Sequence, residues 1–336
     1  MPLPLPLPLP LPDAFAQVVI SGPGGPDVLV PATRSMLRPG PGQLLIRVAA
    51  AGVNRHDCNQ RRAGQHHDGN PVPGLEVSGI VAGRGPGVDG WPEGTPVMAL
   101  VQGGGYAEFA LADAVLAMPV PKGLILEDAA GLPEALFTAW WNFFWMLDLT
   151  PGEFALIHGG TSGVGHLALQ ALSRLGYQVM ATCGTKDKVA AATGFGAAAA
   201  FDYHDADLAR KVTEATGGKG ISALLDMSAG AHLDADLAMM ATGGRIAHLS
   251  PGGGKVLPVP LRALMQKRVA ITGSLLRPLP LEIKAQIADR LRAEVLPMVA
   301  DGLRPAIAAV FPLEQAAAAH REMERASHIG KILLRP

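Results

Sequence analysis

Near the middle of the chain the run Ile157-His-Gly-Gly-Thr-Ser-Gly-Val-Gly165 has residue types and spacing suited to holding a phosphate. Glycines so placed let the backbone turn tightly and approach a pyrophosphate closely. A helix that starts there adds unpaired N–H groups and the positive end of its dipole. Against the pattern G-x-G-x-x-G, Gly160 and Gly165 take the outer positions; Ser162 stands at the middle one and Gly163 follows it. Alone, such a match is weak, and the competing reading is a glycine-rich turn without a ligand. Context favours the loop. The apolar run Phe154–His158 precedes it, and helical periodicity follows, which is the strand–loop–helix setting of a dinucleotide site.

Charge then bears on which dinucleotide. A chain that binds NAD carries Asp or Glu about 20 residues on, at the end of the second strand, to hold the ribose hydroxyls. Here that place reads Ala181-Thr-Cys-Gly-Thr185, without an acid, and Asp187 comes late between Lys186 and Lys188. A 2′-phosphate wants donors and cations, which Thr185, Lys186 and Lys188 supply. The reading is NADPH; its rival is that these lysines are the solvated start of a helix.

The elements that must position these residues alternate. Val164, Leu167, Ala168, Ala171, Leu172 and Leu175 mark one face of a helix that Gly176 ends. Strands are predicted at 154–158, 177–182, 199–203, 221–226, 245–249 and 269–272, with helices at 186–193, 207–216 and 232–241 between them. Repeated βα units imply a doubly wound parallel sheet. The first third reads differently. Short runs at 14–20, 43–49, 77–82 and 96–101, separated by Gly/Pro clusters, suggest a compact β-barrel-like unit. Helical composition spans 127–142, 283–299 and 313–325, and an apolar strand at 331–334 closes the chain.

Composition narrows the class. The length of 336 residues suggests two domains at roughly 150 residues each. A formal net charge of −1 argues against a strongly basic nucleic-acid or membrane-surface protein. Cys58 and Cys183, the two cysteines, cannot build a disulfide framework or a structural zinc site. No apolar run reaches the 18 or so residues of a membrane span. Residues 1–12 form a Leu-Pro tail whose alternate prolines favour extended polyproline II; it lacks the charged start and unbroken apolar core of a signal peptide. These features are those of a soluble, cytoplasmic protein.

Several further stretches carry a family resemblance. They are residues 49–64, Ala-Ala-Ala-Gly-Val-Asn-Arg-His-Asp-Cys-Asn-Gln-Arg-Arg-Ala-Gly, with Pro73-Gly-Leu-Glu-Val-Ser-Gly79 and Gly104-Gly-Tyr-Ala-Glu108. Together with the loop through Gly165, Thr272-Gly-Ser-Leu-Leu-Arg277, Ala319-His-Arg-Glu-Met-Glu324 and His328-Ile-Gly-Lys-Ile332, they resemble the zinc-free, zeta-crystallin-like quinone oxidoreductases of the medium-chain dehydrogenase/reductase superfamily. The resemblance covers nearly everything from Ala14 to Leu334. It implies an α/β fold in which a Rossmann sheet, residues 138–278, is inserted in a GroES-like β-barrel catalytic domain, residues 13–137 and 279–336. It further implies NADPH-dependent quinone reduction, a small-molecule substrate and a homodimer, with neither nucleic acid nor membrane as partner.

The resemblance also implies site residues. Asn54 lies beside nicotinamide and substrate, and Thr138 bonds the carboxamide. Gly160, Thr161, Ser162, Gly163 and Val164 hold the pyrophosphate. Gly184, Thr185, Lys188 and Tyr203 surround the 2′-phosphate, and His248, Ser250, Ser274 and Leu275 line the nicotinamide side. Substrate residues are Asn54, Asp57, His66 and Tyr106, with Asp57 ordering its loop rather than donating protons; no general acid can be named. Zinc members of the superfamily have cysteine where this chain has Asn54 and histidine where it has Leu75, so an amide and an alkyl group stand at two ligand positions and no metal is expected. His66-His67-Asp68 is a poor metal site because adjacent histidines are badly placed to share an ion. Relatives carry tyrosine where this chain has His66, so His66 either alters which quinones fit or faces solvent. Reduction of an activated C=C bond is the second enzymatic reading. A cofactor-binding protein with a structural or RNA-binding role is the third.

Overall fold

The computed structural model describes residues 11–66, 69–230, 232–251 and 256–336. The Leu-Pro tail lies outside them except for Leu11 and Pro12, and so do His67 and Asp68 of the histidine pair. The chain divides into two units, Met1–Glu134 with Leu281–Pro336, and Ala135–Pro280.

The first unit opens with an antiparallel pair, β1 (Ala14–Ile20) and β2 (Leu29–Ser35). β3 (Gln43–Val53) then leads directly into α1 (Arg55–Ala63), which Gly64 ends in a left-handed conformation at φ +62°. β4 (Glu76–Arg84), β5 (Pro96–Leu100), β6 (Phe109–Asp113) and β7 (Ala117–Pro119) follow. β3 is long enough to serve several partners. Residues 43–47 pair with β6, and β4 runs along it with two register shifts that help the sheet curl. Leu44, Ile46, Val77, Val81 and Val97 face inward as the core of this GroES-like barrel.

α2 (Pro133–Trp140) precedes the second unit's sheet. Five βα steps then follow in order. They are β8 (Phe154–His158), α3 (Gly165–Arg174), β9 (Gln178–Cys183), α4 (Lys186–Gly194), β10 (Ala200–Asp202), α5 (Leu208–Ala215), β11 (Ile221–Asp226), α6 (Leu233–Met239), β12 (Met240–His248), α7 (Leu261–Lys267) and β13 (Ala270–Gly273). All pairings are parallel, in the order β10-β9-β8-β11-β12-β13. This is the Rossmann order, with its switch point between β8 and β11, where ligands of such sheets lie beyond the strand ends. The chain returns to the first unit through α8 (Leu281–Arg290), β14 (Ile307–Pro312), α9 (Ala316–Arg325) and β15 (Lys331–Arg335). β15 pairs with residues 51–53 of β3 and so brings the C-terminus beside the start of α1.

The structure corrects several elements read from sequence. The helix predicted over 127–142 is a 3₁₀ turn at Asp128–Gly131 followed by a new helix from Pro133, whose missing N–H does no harm at a first helical position. The helix predicted over 283–299 stays α-helical to Arg290 and then loosens into π and 3₁₀ turns. α1, α7, β2, β6, β7 and β14 were not anticipated. α1 lacks an apolar stripe: its buried side chains include Asp57, Gln60 and Arg61, so helical periodicity of apolar residues had nothing to register.

Candidate active site

The glycine-rich loop joins β8 to α3. N–H groups of Gly159 and Gly160 donate to Thr182 O on the neighbouring β9, at 3.0 and 3.1 Å. The Ser162 hydroxyl accepts from the Gly165 N–H at 3.0 Å, capping the turn into α3. Two glycines are sterically required. A Cβ on Gly160 would stand 2.4 Å from Ala181 Cβ, and one on Gly165 would stand 2.3 Å from Gly159 O. The loop is therefore pressed against β9 and the helix start is pressed against the loop, an arrangement suited to closely approached phosphates.

At the end of β9, Thr185 caps α4 and its hydroxyl accepts from the Lys188 N–H at 3.3 Å. Gly184 makes room for the half-exposed Tyr203, since a Cβ there would lie 2.5 Å from the Tyr203 hydroxyl. Burial raises the pKa of the Cys183 thiol, against the Gly160 backbone N–H and the charge of Lys188. Gly184, Thr185, Lys188 and Tyr203 thus form one rim. Beyond β12 and β13, His248, Ser250, Ser274 and Leu275 line a cavity of about 520 Å³. Ser274 N–H donates to His248 O at 2.9 Å, which ties the two strand ends together. Thr138 is nearly buried on α2, and its carbonyl accepts from Asn142 Nδ2 at 2.8 Å.

In the first unit Asn54 stands between β3 and α1. Its Nδ2 donates to Glu76 Oε1 at 2.9 Å, and its Oδ1 accepts from Lys331 Nζ at 2.8 Å. Lys331 also pairs with Glu76, both side chains being buried. The second Glu76 oxygen accepts from the Glu134 N–H at 2.9 Å. Gly52 makes this possible, because a Cβ there would lie 2.0 Å from Glu76 Oε1. The Asn54 amide is fixed at both ends by a buried ion pair.

Below it lies a second network. Asp57 Oδ2 accepts from the Asn54 N–H at 2.8 Å and from the Tyr106 hydroxyl at 3.1 Å, and Oδ1 accepts from the Gly74 N–H at 3.3 Å. Burial nonetheless pushes the Asp57 carboxyl up to about 7, against these bonds. His320 Nε2 is 2.9 Å from the Tyr106 oxygen, and its Nδ1 is 3.4 Å from Arg61 Nη1. Burial, with Arg61 and Arg62 nearby, holds the His320 pKa down at about 3, so the neutral ring accepts from Arg61 and donates to Tyr106. His66 is exposed, and its Nε2 donates to Ile20 O at 3.1 Å.

Residues 40–122 match the alcohol dehydrogenase GroES-like domain, and residues 163–292 match the zinc-binding dehydrogenase model. A quinone oxidoreductase of Sus scrofa is 32% identical over 318 residues, covering 93% of this chain and 94% of that protein. The chain belongs to the quinone oxidoreductase family of the medium-chain dehydrogenase/reductase superfamily. It is an oxidoreductase. A 2-haloacrylate reductase of Burkholderia sp is also 32% identical, over 95% of this chain and 98% of its own. The crystal structure of Escherichia coli quinone oxidoreductase complexed with NADPH superposes with a TM-score of 0.84 at 26% identity, over 96% of this chain and 100% of that one.

Within the second unit of this oxidoreductase, the structure gathers the loop residues Gly160 to Val164 at one strand end and the Gly184–Tyr203 rim at the next. Within the first it separates the four expected substrate residues. Asp57 and Tyr106 are wholly buried: Asp57 accepts from the Asn54 and Gly74 N–H groups, and the Tyr106 hydroxyl bonds Asp57 and His320. Asn54 and His66 retain access to solvent. The Glu76–Lys331 pair was missed. The available signal was a charged residue at the first position of each strand, Glu76 and Lys331, directly before apolar Val77 and Ile332.

Proposed function

We propose that this enzyme transfers reducing equivalents from NADPH to quinones without a metal, in the cytoplasm. The carrying observation is the pair of strand-end cradles. Gly160 and Gly165, where any Cβ would strike β9 or the loop itself, let the loop and the start of α3 pack tightly together, and the adjoining rim offers Lys188, Thr185 and the Tyr203 hydroxyl where NAD-binding chains place an acid. These residues fit the dinucleotide: the turn from Thr161 to Val164 at the start of α3 would face the pyrophosphate, and Lys188 would face the 2′-phosphate. When bound, NADPH supplies a hydride; the protein supplies orientation and a partly apolar slot. Asn54, held by Glu76 and Lys331, presents its amide in one fixed direction, so it can orient a carbonyl oxygen without reorganising.

Zinc, which one family model's name implies, does not fit the residues. Leu75 offers an alkyl group, and the Asn54 oxygen already accepts from the Lys331 ammonium, the local cation. A quinone needs no Lewis acid because it is itself a good electron acceptor. Prolonged chelation is therefore expected to leave turnover intact, and zinc lost together with activity would count against the reading.

The similarity to a 2-haloacrylate reductase favours a second reading, reduction of activated C=C bonds. The experiment is an acceptor panel of quinones, enones and 2-haloacrylates, assayed by NADPH and NADH oxidation. The expected result is higher kcat/KM for quinones and for NADPH. A preference for the unsaturated acids would replace quinone as substrate, and cofactor binding without turnover of any acceptor would remove the enzymatic reading.

A further inference from the structure

Three residues at the switch-point end of the second unit's sheet are used by nothing described so far. Asp226 ends β11, His232 directly precedes α6, and Asp236 lies one turn along that helix, its N–H bonded to His232 O at 2.9 Å. The spacing of four places His232 and Asp236 on one helix face. One ligand atom from each of the three residues lies within 4.8 Å of the other two.

The two carboxylates are buried, at 0% and 1% exposure, and each is half satisfied. Asp226 Oδ1 accepts from the Ser228 N–H at 2.8 Å, the Ser228 hydroxyl at 3.2 Å and the Ala229 N–H at 3.0 Å. Asp236 Oδ1 is 2.9 Å from His158 Nε2. Oδ2 of each acid has no hydrogen-bond partner. Asp226 Oδ2 instead faces imidazoles: His248 Nδ1 at 3.0 Å, without the angle of a hydrogen bond, and His232 Nε2 at 3.8 Å. Among the described residues neither acid forms an ion pair with Lys or Arg. Each of the two buried acids thus keeps one oxygen without a hydrogen bond, and the groups that face them are imidazoles, His158 on Asp236 and His248 and His232 on Asp226.

We propose that Asp226, His232 and Asp236 bind a divalent transition-metal ion of the zinc class, at a site that adjoins, through His248, the cavity lined by Ser250, Ser274 and Leu275. Two carboxylate oxygens and one imidazole nitrogen form a mixed donor set, which suits zinc better than magnesium or calcium with their all-oxygen shells. Atoms bound to one zinc at about 2.1 Å stand about 3.4 Å apart; His232 Nε2 is already 3.8 Å from Asp226 Oδ2, and the set as a whole, within 4.8 Å, closes by drawing its side chains inward. The outer contacts of such a site are already in place. His158 braces Asp236 and is itself 2.7 Å from Thr182 Oγ1, while Ser228 braces Asp226. His232 is the accessible ligand, through which the ion enters.

The test is titration of tag-free, full-length, demetallated protein with Zn²⁺ at pH 7.5 against a chromophoric chelator, with Mg²⁺ as a second titrant. The expected result is one tight Zn²⁺ equivalent, unaffected by millimolar Mg²⁺ and weakened at least tenfold in both His232→Ala and Asp236→Asn. Where Asp236→Asn loses its native circular dichroism, His232→Ala alone decides, because its side chain is exposed. Absence of any equivalent tighter than millimolar overturns the proposal. So does an equivalent with unchanged affinity in His232→Ala, which would place the ion elsewhere, for instance on the adjacent histidines 66 and 67.

Discussion

Lys188 is where the choice between the two nicotinamide dinucleotides becomes measurable. It follows Thr185 by one turn of α4 and shares a rim with Tyr203. A charge-assisted contact to a 2′-phosphate is worth roughly 1.5–3 kcal/mol. Lys188→Ala is expected to raise KM for NADPH about ten- to a hundredfold and leave NADH nearly unchanged; equal losses with both cofactors would show a folding defect instead. Asp57 gives a second residue-scale prediction, through stability. Burial pushes its carboxyl up to about 7 in the folded chain, from about 3.8 for an unperturbed aspartate, so between those pH values the folded state holds a proton that the unfolded state has lost. The stability this adds is complete below about pH 4 and falls as pH rises towards 7, by up to roughly 4 kcal/mol. Urea midpoints at pH 5 and 7.5 are expected to drop more for the native enzyme than for Asp57→Asn, which cannot ionise; parallel drops would assign the titration to another group. Loop glycines and lysines were legible from sequence because their function is local. The Asp57–Tyr106–His320 chain was not, since its bonded members lie 49 and 214 positions apart and only folding brings them together.

At the scale of elements, the parallel sheet was readable because each of its strands is a short apolar run and each crossover helix returns at a regular interval. The barrel unit was readable only in outline. α1 escaped because it buries charged and amide side chains, and β14 because its alternation of half-buried and exposed residues, Ile307 to Pro312, carries little apolar contrast. The β8–α3 junction is the element on which the proposed cofactor binding rests. A methyl group on Gly165 would meet the Gly159 carbonyl and the Gly160 backbone, at 2.3 and 2.9 Å, and backbone cannot yield as a flexible side chain does. Gly165→Ala must therefore lift the helix start from the loop, at a cost of the order of 1–3 kcal/mol for overpacking. Its signature differs from that of Lys188→Ala: KM is expected to rise at least tenfold for NADPH and NADH alike, with a lower melting temperature. Unchanged KM for both would mean that the loop does not carry the pyrophosphate.

For the molecule as a whole, the open question with a physical handle is assembly. β13 ends the six-stranded sheet, so one of its edges has no strand partner among the described residues. The same stretch exposes large apolar side chains: Val256 at 79%, Leu261 at 64%, Met265 at 72% and Leu275 at 68%. Scattered single residues of this kind need no explanation, but four within twenty positions beside an open edge do. A lone edge strand flanked by apolar groups is a site for association, and two copies meeting edge to edge about a twofold axis cover both edges at once. Such an isologous dimer, burying the 1,200–2,000 Å² or so of a stable interface, is the expected state. Sedimentation equilibrium at micromolar concentration is expected to give twice the chain mass of 34.8 kDa. Met265→Lys, which places a charge on the exposed face of α7 without touching the cofactor loop, is expected to weaken the dimer at least tenfold while its circular dichroism stays native. A native enzyme of 34.8 kDa at that concentration would show that water, not a second subunit, covers this edge.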